Sequence, residues 1–241
     1  MRKVVIAFVA GIGIAGGAAA QHEAALDPAN TNVANTASLQ RGAKYFVNYC
    51  LGCHSAKYVR YNRLAEDLQL SEQQLVDNLM FTGEQVFDTM ENAMSPEDAA
   101  RWFTIAPPDL SLIARSRGTD YIYTFLRSFY AAPDRSTGVD NIVLPGTAMP
   151  HVLWQLQGTQ RAVFEEHDGA PAFERFEQLK PGELSADDYN EVVRDIVNFL
   201  DYIAEPIKRE RQQLGIRVIG FLLVFLLIAF MLKKEIWKDV K

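Results

Sequence analysis

Two cysteines and a histidine within five residues, Cys50-Leu51-Gly52-Cys53-His54, constrain this chain more than any other feature. The C-x-x-C-H spacing is that of a c-type haem attachment site, in which two thiols bond to the two vinyl groups of one porphyrin. The adjacent imidazole then reaches the iron as an axial ligand. We therefore predict one covalently attached haem c, with Cys50 and Cys53 as its thioether links and His54 on the iron.

The same two cysteines suit two other kinds of site, a thioredoxin-like redox pair and half of a zinc site. The chain has no further cysteine, and its remaining histidines, His22, His151 and His167, are scattered. The residues before Cys50 follow a helical pattern rather than the strand setting of a thioredoxin. Haem attachment is therefore favoured, and no cysteine is left for a structural disulfide.

The N-terminus has the pattern of a secretory signal peptide. Arg2 and Lys3 precede an apolar run from Val4 to Ala15, and small residues end at Ala20. This pattern predicts cleavage after residue 20, with an uncleaved anchor as the alternative. Export agrees with the haem motif, because bacterial c-type haem is attached outside the cytoplasm.

A second apolar segment near the C-terminus, Ile216 to Leu232, is interrupted only by Arg217. As a helix its seventeen residues span about 26 Å, close to the ~30 Å hydrocarbon core of a bilayer. The long Arg217 side chain can extend its guanidinium to the headgroups. Apolar residues cover every face, which predicts a transmembrane helix rather than a buried core helix.

These two ends predict three parts: a signal peptide over residues 1–20, a periplasmic haem domain over 21–207, and an anchor with a short cytoplasmic tail over 208–241. Lysines and arginines flank the anchor on both sides, so the signal peptide decides the orientation. We expect a protein of the bacterial inner membrane that contacts membrane lipid. The net charge of -6 argues against nucleic acid as a partner, since an acidic surface repels phosphate.

Hydrophobic periodicity predicts a mainly α fold built around two helices that are distant in sequence. The first covers residues 37–49 with Ser38 as its N-cap, and Gly42 on its apolar face suggests close approach by another helix, an ordinary tolerated glycine being the alternative. The second begins at a capping Ser185 and carries an apolar stripe as far as Ile203. Packed across each other, the two helices would frame a haem pocket.

Helical patterns also cover parts of the middle of the chain. We predict helices over residues 71–80, from Ser95-Pro96 onward, and over 120–129. The stretch 131–150 is rich in proline and glycine and has the pattern of a long functional loop. Pro181-Gly182 suits the centre of a type II turn, and strand content is expected to be small.

An electron carrier with one such haem needs a second axial ligand, and a methionine thioether stabilises the reduced iron. The methionines outside the signal and the anchor are Met80, Met90, Met94 and Met149. Met149 is favoured because its segment, residues 144–150, contains the proline and glycine that allow a loop to approach a porphyrin closely, and Pro150 stiffens the position. Met94 and His151 remain the alternatives.

Four blocks of the chain form a distinctive set. They are Arg41-Gly42 with the segment through Ser55, Ala106-Pro107-Pro108-Asp109-Leu110-Ser111 with Ile113, Arg115 and Arg117, the loop from Pro145 to Pro150, and the anchor preceded by Val197-Asn198-Phe199-Leu200 and Glu205-Pro206. Together they resemble the cytochrome c1 family, the haem subunit of the ubiquinol–cytochrome c reductase (bc1) complex. The C-x-x-C-H motif alone is shared by many families, whereas the Pro-Pro-Asp-Leu-Ser segment combined with the tail anchor is much more specific.

The resemblance implies a class I c-type cytochrome domain with insertions, one C-terminal transmembrane helix, and a histidine–methionine axial pair. It also implies that Pro108 packs near the haem ring. Arg117 and Tyr121 are expected to meet a haem propionate, with Arg115 as the neighbouring alternative. The arginine fits this role because a buried propionate needs a charge-assisted donor.

The function implied by the resemblance is electron transfer from a Rieske iron–sulfur protein to a cytochrome c, beside cytochrome b in the same respiratory-chain complex. The chain alone would then be an electron-transfer subunit of an enzyme complex. The alternatives are another membrane-anchored monohaem carrier, a haem peroxidase-like enzyme, and a thiol oxidoreductase without haem. An acidic run over 165–177 suits steering of a basic carrier and equally suits a solvated loop.

Overall fold

The chain is mainly helical, as predicted, and short antiparallel strand pairs lie between the helices. A computed structural model describes residues 25–167 and 170–239. The predicted signal peptide, residues 1–20, lies outside this described part. Buried apolar side chains from Ala29 to Ala204 form a core cluster that joins the beginning and the end of the predicted haem domain.

Helix α1 (Thr36–Tyr49) begins one residue earlier than predicted. Its N-cap is Asn35, whose side chain accepts the Ser38 N–H at 3.2 Å. The prediction of Ser38 as the cap is therefore wrong, because asparagine is an equally good capping residue and stands nearer the boundary. Ser38 is buried inside the helix instead.

The middle of the chain follows the predicted helix starts. Ser71 forms a capping box with Gln74, and the Ser95 side chain accepts the Asp98 N–H at 3.1 Å, so both starts are confirmed. The elements of this region are β1 (Ala56–Arg60), α2 (Tyr61–Asp67), α3 (Glu72–Asn78), β2 (Thr89–Met90), α4 (Pro96–Phe103), α5 (Ile113–Arg117) and α6 (Thr119–Arg127). Strand β1 pairs antiparallel with β2.

Strand content in the described residues is larger than predicted, mainly because of a hairpin over residues 158–181. The next elements are β3 (Phe129–Ala131), β4 (Val139–Asn141), α7 (Trp154–Gln157), β5 (Gly158–His167) and β6 (Ala170–Pro181). Strands β5 and β6 pair antiparallel over their length, and the sequence between them is Asp168-Gly169, a pair typical of two-residue hairpin turns. Strands β3 and β4 form a second hairpin, which begins just before the predicted loop over 131–150 and occupies its first part.

The type II turn predicted at Pro181-Gly182 is also wrong. Gly182 lacks the positive φ that such a turn requires at its third residue. A Cβ on Gly182 would meet the Leu156 carbonyl oxygen at 2.3 Å. The glycine is therefore needed for close approach between the hairpin and α7.

Helix α8 (Ala186–Ala204) begins as predicted at Ser185, whose side chain accepts the Asp188 N–H at 3.2 Å. It crosses α1 at Gly42, where a Cβ would lie 2.1 Å from the Asp195 carbonyl oxygen. The predicted close approach of these two helices is confirmed. Because a side chain on Gly42 would overlap the backbone of α8, the absence of a Cβ sets the distance between the two helices.

A polar seam runs beside this crossing. The buried Asp195 carboxylate accepts hydrogen bonds from Ser38 Oγ at 2.6 Å and from Arg41 Nε at 2.5 Å. Asn198 Nδ2 donates to Ser38 Oγ at 2.9 Å. A buried carboxylate is costly without such partners, so the seam favours one register of α1 against α8.

The last helix, α9 (Lys208–Ile236), extends beyond the predicted apolar segment at both ends. Its 29 residues rise about 43 Å. The mean hydropathy of its most apolar stretch is 2.6, and none of its residues is buried. The helix is therefore long and apolar enough to cross a membrane.

Two ion pairs join α9 to the end of α8. Lys208 Nζ lies 2.8 and 2.9 Å from the two carboxylate oxygens of Asp201. Arg211 pairs with Glu205 in the same junction. Pro206 separates the two helices, so these side chains bridge the interruption.

Gly42→Ala is expected to destabilise the domain by about 1–3 kcal/mol, because the added methyl group overlaps the Asp195 carbonyl. Elsewhere in a helix the same substitution stabilises by up to about 1 kcal/mol. The sign of the change therefore tests the crossing, and thermal unfolding followed by circular dichroism measures it.

Gly52→Ala is the matched control, since nothing lies within 4 Å of a Cβ at that position. Equal unfolding temperatures for the two variants would contradict the tight crossing.

Candidate haem-binding site

The C-x-x-C-H motif forms a tight turn at the end of α1. The Cys50 N–H continues the helical pattern by donating to Phe46 O at 2.9 Å. The Cys53 and His54 N–H groups both donate to Cys50 O, at 3.0 and 2.8 Å. The turn therefore gathers the two thiols and the imidazole at one end of the helix. Both cysteines are free, and burial raises the pKa of the Cys50 thiol to about 12.

The His54 ring is held by a backbone carbonyl. Its Nδ1 lies 2.7 Å from Pro108 O. Because a carbonyl can only accept, Nδ1 carries the proton and Nε2 retains the lone pair that a metal requires. Burial lowers the pKa of His54, which favours the neutral, ligating form. The residues present therefore fit a c-type haem, and Pro108 contributes through its carbonyl to this fit.

The Pro-Pro-Asp-Leu-Ser segment is attached to the residues that follow His54. The Asp109 carboxylate accepts the Lys57 N–H at 3.0 Å and the Ser111 N–H at 2.9 Å. The Leu110 N–H donates to Ser55 O at 2.8 Å. These bonds fix the position of the Pro108 carbonyl relative to the imidazole.

Asn92 supports the motif from a third segment. Its Nδ2 donates to Cys53 O at 2.6 Å, and its N–H donates to Ser55 Oγ at 3.1 Å. Its Oδ1 accepts the Met94 N–H at 3.0 Å. This role is not predictable from the sequence, because a single asparagine 39 positions from Cys53 carries no local signal of the contact.

The structure brings Arg117 and Tyr121 together. Helix α5 ends at Arg117, and Gly118, with φ of 87°, turns the chain into α6. The Arg117 guanidinium lies 5.5 Å from the centroid of the Tyr121 ring, which is within cation–π range. Arg117 is exposed, so its guanidinium is available for an anionic group, and Tyr121 stacks on Phe125.

The candidate second ligands differ in burial. Met149 is half-buried and packs against the core cluster that contains Cys50. Met90 is completely buried in β2, as expected of a core side chain, and Met94 is half-buried. His151 is buried with its ring stacked on Phe129, 5.0 Å between centroids, so it is part of an aromatic cluster.

The fold and this site define the class: a c-type cytochrome domain joined to an apolar C-terminal helix. The sequence profile of the Cytochrome C1 family matches residues 29–240, and the chain belongs to that family. Membership makes it a membrane-associated c-type haem electron carrier of the bc1 complex. The resemblance found in the four sequence blocks is thereby confirmed.

Known proteins are similar in sequence to this chain over most of its length. The chain is 45% identical to cytochrome c1 of Allochromatium vinosum over the whole of both chains. It is 44% identical to a protein named ammonia monooxygenase gamma subunit in Nitrosomonas europaea, over 90% of both. It is 26% identical to the mitochondrial cytochrome c1 haem protein of Neurospora crassa, over 85% of this chain and 63% of the relative.

Asp109→Ala is expected to destabilise the domain by about 1–3 kcal/mol, because two backbone N–H groups lose their acceptor. Unfolding by denaturant measures the loss, and hydrogen exchange locates it at the Lys57 and Ser111 amides. Asp134→Ala is the control, since Asp134 is an exposed carboxylate between β3 and β4. Unchanged exchange at those two amides would contradict the attachment described here.

Proposed function

We propose that this chain carries electrons from a Rieske iron–sulfur protein to a cytochrome c, as the haem subunit of a ubiquinol–cytochrome c reductase that also contains cytochrome b. The observation that carries the proposal is the 2.7 Å bond between His54 Nδ1 and the Pro108 carbonyl, beside Cys50 and Cys53 in the same turn. It sets the imidazole in the tautomer that ligates iron through Nε2.

Seven residues would hold one covalent haem. Cys50 and Cys53 would supply the thioether links, and His54 Nε2 and Met149 Sδ would bind the iron. The remaining residues are Pro108, beside the ring, and Arg117 and Tyr121, at a propionate. When bound, the haem supplies one-electron chemistry through its iron, which cycles between the ferric and ferrous states.

The protein side chains serve to hold and tune this group. The Pro108 carbonyl raises the basicity of the imidazole by accepting a hydrogen bond from its Nδ1–H group. A thioether from Met149 favours the reduced state, and the Arg117 charge offsets a propionate. No bond to a substrate is made, so no general acid or base is required.

The proposed location follows from the two ends of the chain. Residues 1–20 would direct export and be removed, and residues 21–207 would form the periplasmic haem domain. Residues 208–241 would anchor it in the bacterial inner membrane, in contact with lipid, with a short cytoplasmic tail. The length and hydropathy of α9 support the anchor.

The acidic run over 165–177 is a weak candidate for partner docking. Glu177 pairs with both Arg161 and Arg175, and Glu174 also pairs with Arg175. These pairs neutralise part of the charge within the β5–β6 hairpin itself. The proposal therefore does not depend on this stretch.

Purification of the full chain from its own membranes in mild detergent tests the function. A b-type cytochrome and a Rieske protein are expected to co-purify, and the haem is expected to stay on the chain after denaturation. Carbon monoxide should leave the reduced spectrum unchanged, because His54 and Met149 would both bind the iron and leave no site for an added ligand.

Each alternative has its own outcome in that experiment. Absence of the b-type cytochrome and the Rieske protein would favour another monohaem carrier. A spectrum altered by carbon monoxide would favour a peroxidase-like enzyme, and a chain without haem would favour a thiol oxidoreductase.

Met149→Ala is expected to abolish the weak charge-transfer absorption that an iron–thioether bond gives near the red edge of the visible spectrum. It is also expected to lower the midpoint potential, because the reduced state loses its soft ligand. Met94→Ala is the matched control and should retain the band. Loss of the band in Met94→Ala alone would transfer the assignment to that residue.

A further inference from the structure

We propose that the buried carboxylate of Asp140 positions Met149 by binding the backbone of the turn that precedes it. Asp140 is thus a positioning residue for the ligand loop, defined here as residues 142–150. The inference rests on the proposed function, because it takes Met149 as the second iron ligand.

The Ile142 N–H donates to Ser128 O at 3.2 Å, beside β3, but the N–H groups farther along the ligand loop need acceptors elsewhere. Asp140, in the middle of β4 and only 4% exposed, supplies the central one. Its Oδ1 accepts the Gly146 N–H at 2.7 Å and the Asn141 N–H at 2.8 Å. One carboxylate oxygen therefore joins the strand to the middle of the loop.

The other carboxylate oxygen is held by Arg135. Its Nε and Nη2 donate to Asp140 Oδ2 at 2.9 and 2.7 Å. Burial alone would raise the pKa of Asp140, but the hydrogen bonds from Asn141, Gly146 and Arg135 lower it overall. The group is therefore kept as a carboxylate, which is the stronger acceptor.

Gly146 has a left-handed conformation, with φ of 79°, at the point where the carboxylate binds. A Cβ there would lie 3.8 Å from Arg135 Nη2, so the guanidinium of the same ion pair lies beside the turn. The glycine allows the backbone to direct its N–H at Asp140, and Asp140 in return favours this conformation over the others open to glycine.

Two further contacts carry the constraint from the turn to Met149. The Thr147 N–H donates to Leu144 O at 3.2 Å, and Thr147 Oγ1 accepts the Met149 N–H at 3.3 Å. The chain of hydrogen bonds from Asp140 thus reaches the backbone of the proposed ligand within nine residues.

Asn141 fixes the other end of the loop. Its Oδ1 accepts the Val143 and Leu144 N–H groups at 2.9 and 3.2 Å. Its Nδ2 donates to Phe125 O at 2.8 Å, which attaches the loop to α6, the helix that carries Tyr121. Among the hydrogen bonds of the described residues, the Gly146 N–H is therefore bound by the Asp140 side chain and not by that of Asn141.

The test compares Asp140→Ala with Asp140→Asn in the full-length haem-loaded chain in detergent. Alanine removes the acceptor of the Gly146 N–H, whereas asparagine retains an Oδ1 in its place. The readouts are the iron–thioether charge-transfer band and the apparent affinity of the ferric protein for added imidazole, which competes with Met149.

Asp140→Ala is expected to weaken the band and to raise the apparent imidazole affinity about tenfold, the equivalent of one lost buried hydrogen bond. Asp140→Asn keeps the acceptor of the Gly146 N–H but loses the ion pair with Arg135, so it is expected to raise the affinity by a smaller factor, about that of Arg135→Ala. Glu177→Ala is the matched control, because it breaks an acid–arginine pair in the β5–β6 hairpin and should leave both readouts unchanged.

Arg135→Ala provides a second, milder test should Asp140→Ala fold poorly, since Arg135 is 45% exposed. It should raise the imidazole affinity in the same direction by a smaller factor. Unchanged band and affinity in Asp140→Ala, or in Arg135→Ala if only that variant folds, would overturn the inference and leave the proposed function intact. Survival of the band in Met149→Ala would instead overturn the ligand assignment itself.

Discussion

The crossing of α1 and α8 at Gly42 is the contact on which the rest of the structure depends. Helix α1 ends in the C-x-x-C-H turn, so the depth at which it packs against α8 determines where the two thiols and His54 lie. The glycine permits backbone contact, and the Asp195 seam favours one register. Together they fix both the rotation of α1 about its axis and its position along α8. A purely apolar interface would define this arrangement less sharply.

Buried or half-buried carboxylates organise the loops around this helical core. Asp109 attaches the segment carrying the Pro108 carbonyl, and Asp140 attaches the segment carrying Met149. In both cases an ionised oxygen accepts backbone N–H groups that no strand or helix satisfies. Irregular backbone can thereby remain close to an apolar cluster without unpaired polar groups.

Local signals in the sequence predict some parts of this fold and miss others. Ser185 and Ser95 are capping residues whose partners lie three positions away, so their helices are predictable. The α1–α8 crossing was predictable from Gly42, because a glycine lowers the stability of a helix and therefore indicates that another helix packs closely at that position. The β5–β6 hairpin was not predicted, because the acidic residues in this part of the chain suggested a solvated loop. The sequence Asp168-Gly169 is nevertheless typical of a hairpin turn.

The haem-binding site is likewise predictable from the sequence only in part. The C-x-x-C-H motif is visible as a unit because porphyrin geometry dictates its spacing, whereas the supporting contacts are not visible. Asn92 reaches Cys53, and the Pro108 carbonyl reaches His54 across 54 positions. Such contacts depend on how the chain returns on itself. Neither residue type nor periodicity predicts these long-range contacts. Pro108 was assigned to the site only through the resemblance of the four sequence blocks to the family.

The short junction between α8 and α9 limits how far the domain can stand from a bilayer. From Ala204, the last residue of α8, to Lys208 the chain extends at most about 14 Å. From there to Ile216 the helix rises about 12 Å more. The end of α8 therefore stays within about 26 Å of the apolar segment that begins at Ile216, and a tether this short leaves the domain little freedom to move away from the lipid headgroups.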